Sequence, residues 1–193
     1  NPTPTVLRDV RVLGAANTSS NTALVVSAFG TISGPDNILI EDVEVVGPIR
    51  TGLTLDGLAE SIVDGVVISN ASHGAITLGG TDGVVLSNFN LSNVASGILA
   101  STGRVTDTTI DTGTIVLGAT STGGNYGIEL LERANNNVAP GASVIRNVSI
   151  TLAADGDTGI STTIGDAPSA VTIEGNLVDG GNHATRGVWV LPR

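Results

Sequence analysis

The stretch NILIEDVEVVG, residues 37–47, decides the fold. Its apolar side chains stand at Ile38, Ile40, Val43 and Val45, so an alternation of two residues slips by one and then resumes. A helix repeats its apolar residues about every 3.6 positions, and one flat strand alternates without a slip. The stretch therefore predicts two short strands joined by a bend.

The same six-residue frame recurs along the chain. It consists of an apolar residue, a variable residue, Asp, Asn or Gly, a mostly apolar residue, a variable residue and a final apolar residue. Self-similarity of this kind is typical of repeat proteins, in which each unit buries its apolar face against its neighbours. The copies are LRDVRV (from Leu7), IEDVEV (Ile40), VDGVVI (Val63), LSNFNL (Leu86), VTDTTI (Val105), IRNVSI (Ile145) and IEGNLV (Ile173).

A second short segment follows each copy and usually reads Gly, apolar, variable, apolar. Each unit is thus predicted to contain three short strands, with loops of variable length between them. The segments are ALVV (from Ala23), GLTL (Gly52), AITL (Ala75), GILA (Gly97), GIEL (Gly127), GIST (Gly159) and GVWV (Gly187).

The third frame position explains the bend. Asp, Asn and Gly tolerate the left-handed backbone conformation that turns a chain sharply. A chain that turns at every unit closes into a coil, and successive coils stack as parallel strands about 4.8 Å apart. The residues predicted to turn are Asp9, Asp42, Gly65, Asn88, Asp107, Asn147 and Gly175.

This repeat resembles that of the right-handed parallel β-helix, the fold of the pectin-lyase-like superfamily. The resemblance runs from about Thr5 to Leu191. It implies an all-β solenoid of about seven coils, three short strands per coil, in a single domain over residues 1–193. It does not indicate an activity, because the superfamily includes lyases, hydrolases, epimerases, phage tailspikes and adhesins.

Stacking in register makes a prediction about charges. It places Arg8 beside Glu41, and Arg146 beside Glu174, on neighbouring strands. Arg11 likewise comes beside Glu44. Each opposite pair is expected to stabilise the stack by about 0.2–1 kcal/mol, whereas the same register also places Glu41 beside Asp64, a like pair that destabilises it.

The amino-acid composition limits which partners the protein could bind and where in or outside the cell it could act. The net charge is −10, which argues against nucleic acid or an anionic membrane as a partner. No apolar run is long enough for a membrane-spanning helix, so membrane insertion is not expected. Cysteine is absent, which excludes disulfides and thiolate metal sites. Lysine is absent as well, and together these features favour an extracellular or cell-surface protein.

Catalytic residues are not predicted. The outward positions of the second segments contain a single carboxylate, Glu129, whereas glycoside hydrolysis normally needs two. Asp111 or Asp157 could supply the second one. His73 and His183 each stand in a turn, where they could act as a base or metal ligand but are more simply exposed turn residues.

Two weaker ligand sites are considered. Asp155 and Asp157, in DGDTG, could contribute to a calcium site, although the chain otherwise predicts no cofactor. Tyr126 and Trp189 could form a platform for a polysaccharide, together with Glu129.

The main functional hypothesis is that the ends of the predicted solenoid form an interface with another chain or domain. Solenoids usually cover their open ends, and no end cap is evident here. We expect such a solenoid to be a domain of a longer chain, to trimerise or be capped by another chain, or to stack end to end into a filament. The predicted assembly residues are Val6, Leu7, Val10, Val188, Trp189 and Val190.

The sequence therefore predicts a non-enzymatic, extracellular structural or adhesive module that partners itself or neighbouring domains. The main alternative is a polysaccharide-active enzyme or carbohydrate-binding module of the pectin-lyase-like kind. A fragment of a phage tail fibre, which would trimerise, is a further alternative.

Overall fold

The computed structural model describes residues 4–14, 21–27, 37–102, 105–118, 124–132, 142–164 and 170–192. These residues form β-strands and turns without any helix, which confirms the all-β prediction. The part of the chain that is described thus offers no helix that could cross a membrane. The strands are β1 (Thr5–Leu13), β2 (Thr22–Ser27), β3 (Ile38–Ile49), β4 (Thr51–Asp56), β5 (Ile62–Asp64), β6 (Val67–Ala71), β7 (Gly74–Gly79), β8 (Val85–Val94), β9 (Ser96–Thr102), β10 (Thr109–Leu117), β11 (Tyr126–Glu132), β12 (Ala142–Thr151), β13 (Thr158–Ile164), β14 (Ala170–Glu174), β15 (Leu177–Asp179) and β16 (Arg186–Pro192).

The strands form two sheets, and every strand pairing in them is parallel. One sheet has nine strands in the order β1-β3-β5-β8-β10-β12-β14, with β6 between β3 and β8 and β15 beside β12. The other has seven strands in the order β2-β4-β7-β9-β11-β13-β16. The chain passes from one sheet to the other and back, so strands that are neighbours in a sheet are one such passage apart in sequence.

One hydrophobic core lies between the two sheets. The first and sixth frame positions face inward, and Ile40, Val45 and Ile68 are fully buried. The second segments contribute Leu53 and Ile76 from the other sheet to the same core. Burying each of these side chains stabilises the fold by roughly 1.5–3 kcal/mol, so the stacked aliphatic columns hold the sheets together.

The bend predicted at the third frame position is confirmed, but the prediction of two separate short strands on either side of it is wrong for most units. Strand β3 runs through Asp42 without interruption, and only the third and seventh units divide there, into β5 and β6 and into β14 and β15. Asp42 has a φ of 52°, Asn88 has 52° and Gly65 has 68°. Asp42 is exposed, whereas Ile40 and Val43 on either side of it are buried. A left-handed residue therefore turns the strand and shifts the side-chain alternation by one position.

The frame predicted for the fifth unit is wrong. Strand register aligns Ile110 with Leu86 and Ile115 with Leu91, so the fifth frame is IDTGTI (residues 110–115) and not VTDTTI. Asp107 does have a positive φ, of 49°, but it belongs to a different line of turns. Isolated parallel bridges define that line, and they join Ala59 to Asp82 and Asp82 to Thr106.

In the corrected alignment, the left-handed residues at the third frame position of the seven units lie next to one another on neighbouring strands. We call this row of residues the corner column. Thr112 (φ 53°) takes the place that was predicted for Asp107. Gly113 follows it because the Phe89 ring fills the space where a side chain would stand. The corner column consists of Asp9, Asp42, Gly65, Asn88, Thr112, Asn147 and Gly175.

Two of the predicted charge pairs are confirmed. Arg8 Nε donates a hydrogen bond to Glu41 Oε2 at 2.6 Å, and Arg11 Nε lies 2.7 Å from Glu44 Oε2. All four side chains are at least a quarter exposed, so solvent screens both pairs and each one stabilises the fold only weakly.

The third pair differs from the prediction. Arg146 is aligned with Glu174 as expected, but its guanidinium bonds to Asp111, with Nε donating to Oδ2 at 2.9 Å. The misplaced fifth frame hid this partner, because it put Thr106 rather than Asp111 on the strand next to Arg146.

Candidate functional site

The ends of the two sheets have unpaired strand edges. Within the described residues, β1 pairs with β3 alone and β2 with β4 alone. At the opposite end, β14 and β15 pair with β12, and β16 pairs with β13. An unpaired edge presents backbone N–H and C=O groups that can accept a further strand.

Exposed apolar side chains concentrate on these end strands. The described residues include nine large hydrophobic side chains classed as exposed, and six of them lie on end strands. The predicted assembly residues Val6, Val188 and Val190 are among the six, at 48%, 52% and 47% exposure. Leu7 and Val10 are partly buried. The six are Val6, Leu13, Val25, Leu177, Val188 and Val190.

Val188 and Val190 are exposed because they continue the core columns. Val188 is aligned with Ile160, which is fully buried one strand further in. Val190 is aligned with Thr162, whose side chain is equally buried. The end of the sheets thus presents a cross-section of the aliphatic core rather than an ordinary polar surface.

Trp189 points outward beside these residues and is partly buried. The guanidinium carbon of Arg186 lies 4.5 Å from the centroid of its ring. This cation–π contact covers one face of the indole, which makes that face unable to stack on a sugar ring.

Glu129 occupies the outward column of the seven-stranded sheet, as predicted. It is aligned with Leu99 on one side and Ser161 on the other, and both of these neighbours are buried. Burial raises the pKa of the Glu129 carboxyl above its ordinary value. Its side chain has no hydrogen-bond or ion-pair partner among the described residues.

The structure brings neither proposed second carboxylate to Glu129. Asp111 lies in the nine-stranded sheet, bound to Arg146. Asp157 precedes Ser161, the residue aligned with Glu129, by four positions along the neighbouring strand. A two-carboxylate arrangement for glycoside hydrolysis is therefore not formed by these residues.

Tyr126 and Trp189 lie in the same sheet but not side by side. Strand β13 separates them, and Tyr126 is aligned with Thr158 whereas Trp189 is aligned with Ser161. Two strand spacings and a three-residue offset put their Cα atoms about 14 Å apart. The predicted aromatic platform thus consists of two separate rings.

The Asp155 and Asp157 carboxylates accept hydrogen bonds from different turns. Asp157 is fully buried and accepts hydrogen bonds from the backbone N–H groups of Asn125, Ala153 and Ala154. Asp155 is exposed and accepts one from the backbone N–H of Ala184 at 2.9 Å. Bonds to backbone N–H groups use both Asp157 oxygens, so this carboxylate fastens the turn before β13.

His183 lies next to Asp155, with Nδ1 at 3.4 Å from Oδ1. Both side chains are largely exposed, so this is a surface contact between two turns. Across the described ranges, no three His, Asp or Glu side chains come together as a metal-binding group.

The cluster of Asp111, Arg146 and Asn147 was missed by the sequence analysis. Asn147 Nδ2 donates to Asp111 Oδ1 at 2.9 Å, in addition to the Arg146 bond. These hydrogen bonds lower the pKa of Asp111 to about 2. The repeat frame did not reveal the true register, because Thr112 and Gly113 depart from it at the third and fourth positions, although Ile110 and Ile115 fit its first and sixth positions.

A shallow hollow of about 240 Å³ opens on the nine-stranded sheet where Gly65 has no side chain. The carboxylates of Asp42 and Glu44 line it, and Glu44 is ion-paired with Arg11. Its charge disfavours anionic ligands.

Comparison of the chain with protein-family models, curated proteins and solved structures found no match in any of the three.

Proposed function

We propose that the chain is a right-handed parallel β-helix of about seven coils, of the pectin-lyase-like kind. In this proposal it acts as an extracellular structural or adhesive module that joins end to end with further copies. The alternation of the chain between two parallel sheets supports the coil, and parallel crossover connections are right-handed in about 98% of cases. Seven coils stacked about 4.8 Å apart correspond to a rod about 30 Å long.

The observation that carries the assembly is the open core at the ends. Val188 and Val190 end inward columns of the core, and the edges of the end strands are unpaired within the described residues. Four further exposed apolar side chains lie at outward positions of the end strands, namely Val6, Leu13, Val25 and Leu177. A second copy that adds its end strands would cover Val188 and Val190 and pair the strand edges at once. Because the two ends differ, the contact is head to tail and leads to an open filament.

Electron microscopy across a concentration series tests this function. We expect rods whose length increases with concentration and whose axial repeat is close to the length of one subunit. Uniform single particles at every concentration would refute the filament. Compact trimers would favour the tail-fibre alternative instead.

Glu129 supports a second candidate, which is polysaccharide binding on the seven-stranded sheet. A half-buried carboxyl without a partner among the described residues is available to accept hydrogen bonds from sugar hydroxyls. A glycan array comparing the native chain with Glu129→Gln tests this candidate. Binding that the substitution abolishes would support it, and an array without any bound glycan would count against it.

A further inference from the structure

We infer that two copies join in the register that relates neighbouring strands within the chain, with Glu174 of one copy beside Arg8 of the next. The inference rests on the proposed end-to-end assembly and adds the residues that meet at the joint. In this arrangement β14 and β15 of one copy lie beside β1 of the next, and β16 lies beside β2.

The side-chain columns supply the register. Most positions in the end strands belong to columns that run through their sheet, so extending these columns defines what such a residue meets across the joint. Val188 and Leu24 end the same inward column, as do Val190 and Val26. In the nine-stranded sheet, the inward pairs across the joint are Ile173 with Leu7 and Val178 with Val12.

The outward charges are complementary in this register. The column that contains Asp111, Arg146 and Glu174 begins at its other end with Arg8 and Glu41. The interior of the column also contains Asp64 beside Glu41 and the neutral Ser87, so opposite charges are adjacent at its two ends and not along its whole length. Joining the ends places Glu174 beside Arg8, which adds one more pair of opposite charges. Arg8 then lies between two carboxylates, Glu41 of its own chain and Glu174 of the next copy.

A joint shifted by one residue would not match both the apolar and the charged side chains. A shift of one residue along the strand would put Glu174 beside Leu7, a side chain that faces the core. Because side chains alternate, the same shift would turn the whole aliphatic set of the end strand outward. The in-register joint is therefore the one that satisfies the apolar and the charged columns together.

Charge reversal at the two ends tests the register. Arg8→Glu and Glu174→Arg each create a joint with like charges, so each variant alone should need a roughly two- to thirtyfold higher concentration to form rods. An equimolar mixture should recover assembly, because the two reversed charges attract each other at one kind of joint and the native pair forms at the other. Sedimentation velocity measures both effects.

Arg11→Glu is the matched control. It also reverses an arginine on β1 and breaks an ion pair within the chain, that of Arg11 with Glu44. Across the proposed joint, however, Arg11 meets Leu177 and not a charge. Arg11→Glu should therefore assemble at nearly the native concentration, and circular dichroism verifies that all variants are folded.

The outcomes separate the two proposals. If the native chain never elongates, the proposed assembly fails, and the register fails with it. If the native chain elongates but Arg8→Glu behaves like Arg11→Glu and the mixture shows no recovery, the assembly stands and this register is wrong.

Discussion

Thr112 is the one residue of the corner column that is branched at Cβ. Its φ of 53° lies in the left-handed region, which is costly for a β-branched residue and tolerable for Asn, Asp or Gly. Asn88 and Asn147 occupy the positions before and after it in the column. At the scale of a residue, this position therefore carries backbone strain that its neighbours avoid.

Thr112→Asn should stabilise the chain by about 1 kcal/mol, because Asn relieves that strain. Thr114→Asn is the control, since Thr114 is exposed on the same strand without a positive φ. Thermal unfolding followed by circular dichroism measures the two changes. An equal melting temperature for both variants would contradict the explanation from strain.

Asp111 makes the free energy of unfolding depend on pH in the acidic range. Arg146 and Asn147 lower its pKa from 3.8 to about 2, so the folded chain keeps this carboxylate charged at a pH where the unfolded chain is protonated. Its contribution is thus complete above about pH 4 and is lost as the pH falls through about 2. Since the ion pair is partly exposed to solvent, that contribution is about 1 kcal/mol or less.

Asp111→Asn should therefore lower the melting temperature more at pH 7 than at pH 2. Thermal unfolding at a series of pH values gives the difference between variant and native chain directly. A difference that stays the same from pH 7 to pH 2 would show that Asp111 acts through packing and not through its charge.

At the scale of an element, β13 places a polar atom in an apolar column. Thr162 is fully buried between Leu130 and Val190 on the neighbouring strands, and its hydroxyl has no hydrogen-bond partner among the described residues. A buried hydroxyl without a partner costs about 1–3 kcal/mol compared with an apolar group of the same shape. The strand forms because burial of the aliphatic side chains around Thr162 stabilises the fold by more than this cost.

Thr162→Val should stabilise the chain by about 1 kcal/mol or more, since valine has the shape of threonine without the hydroxyl. Thr108→Val is a matched control, because Thr108 is equally buried but donates a hydrogen bond to the Thr106 carbonyl. That variant should be destabilised. Chemical denaturation measures both, and a loss of stability in Thr162→Val would mean that its hydroxyl does have a partner in solution.

At the scale of the whole molecule, stability should decrease from the middle toward both ends. Strands such as β7 and β8 have partners on both sides, whereas β1, β2 and β16 have a partner on one side within the described part of the chain. Local opening requires the least free energy where a strand has the fewest partners.

Hydrogen exchange should therefore be slowest in β7 and β8 and fastest in the end strands at low protein concentration. If copies join end to end, protection of β1, β2 and β16 should rise with concentration, while protection of β7 stays constant. End-strand exchange that does not change with concentration would count against assembly through these edges.

The sequence by itself determined the repeat, the parallel stacking and the bend at the third frame position. These features are local, since alternation places side chains and left-handed residues turn the chain whatever lies elsewhere. The charge pairs of Arg8 and Arg11 followed from the same stacking.

The tertiary structure decided which frame the fifth unit uses, because Asp107 and Thr112 both turn the chain and only strand pairing aligns Thr112 with Asn88. It also decided that Arg146 binds Asp111. The separation of Glu129 from Asp157 likewise depends on register, which long-range hydrogen bonds between strands set and no short stretch of sequence encodes.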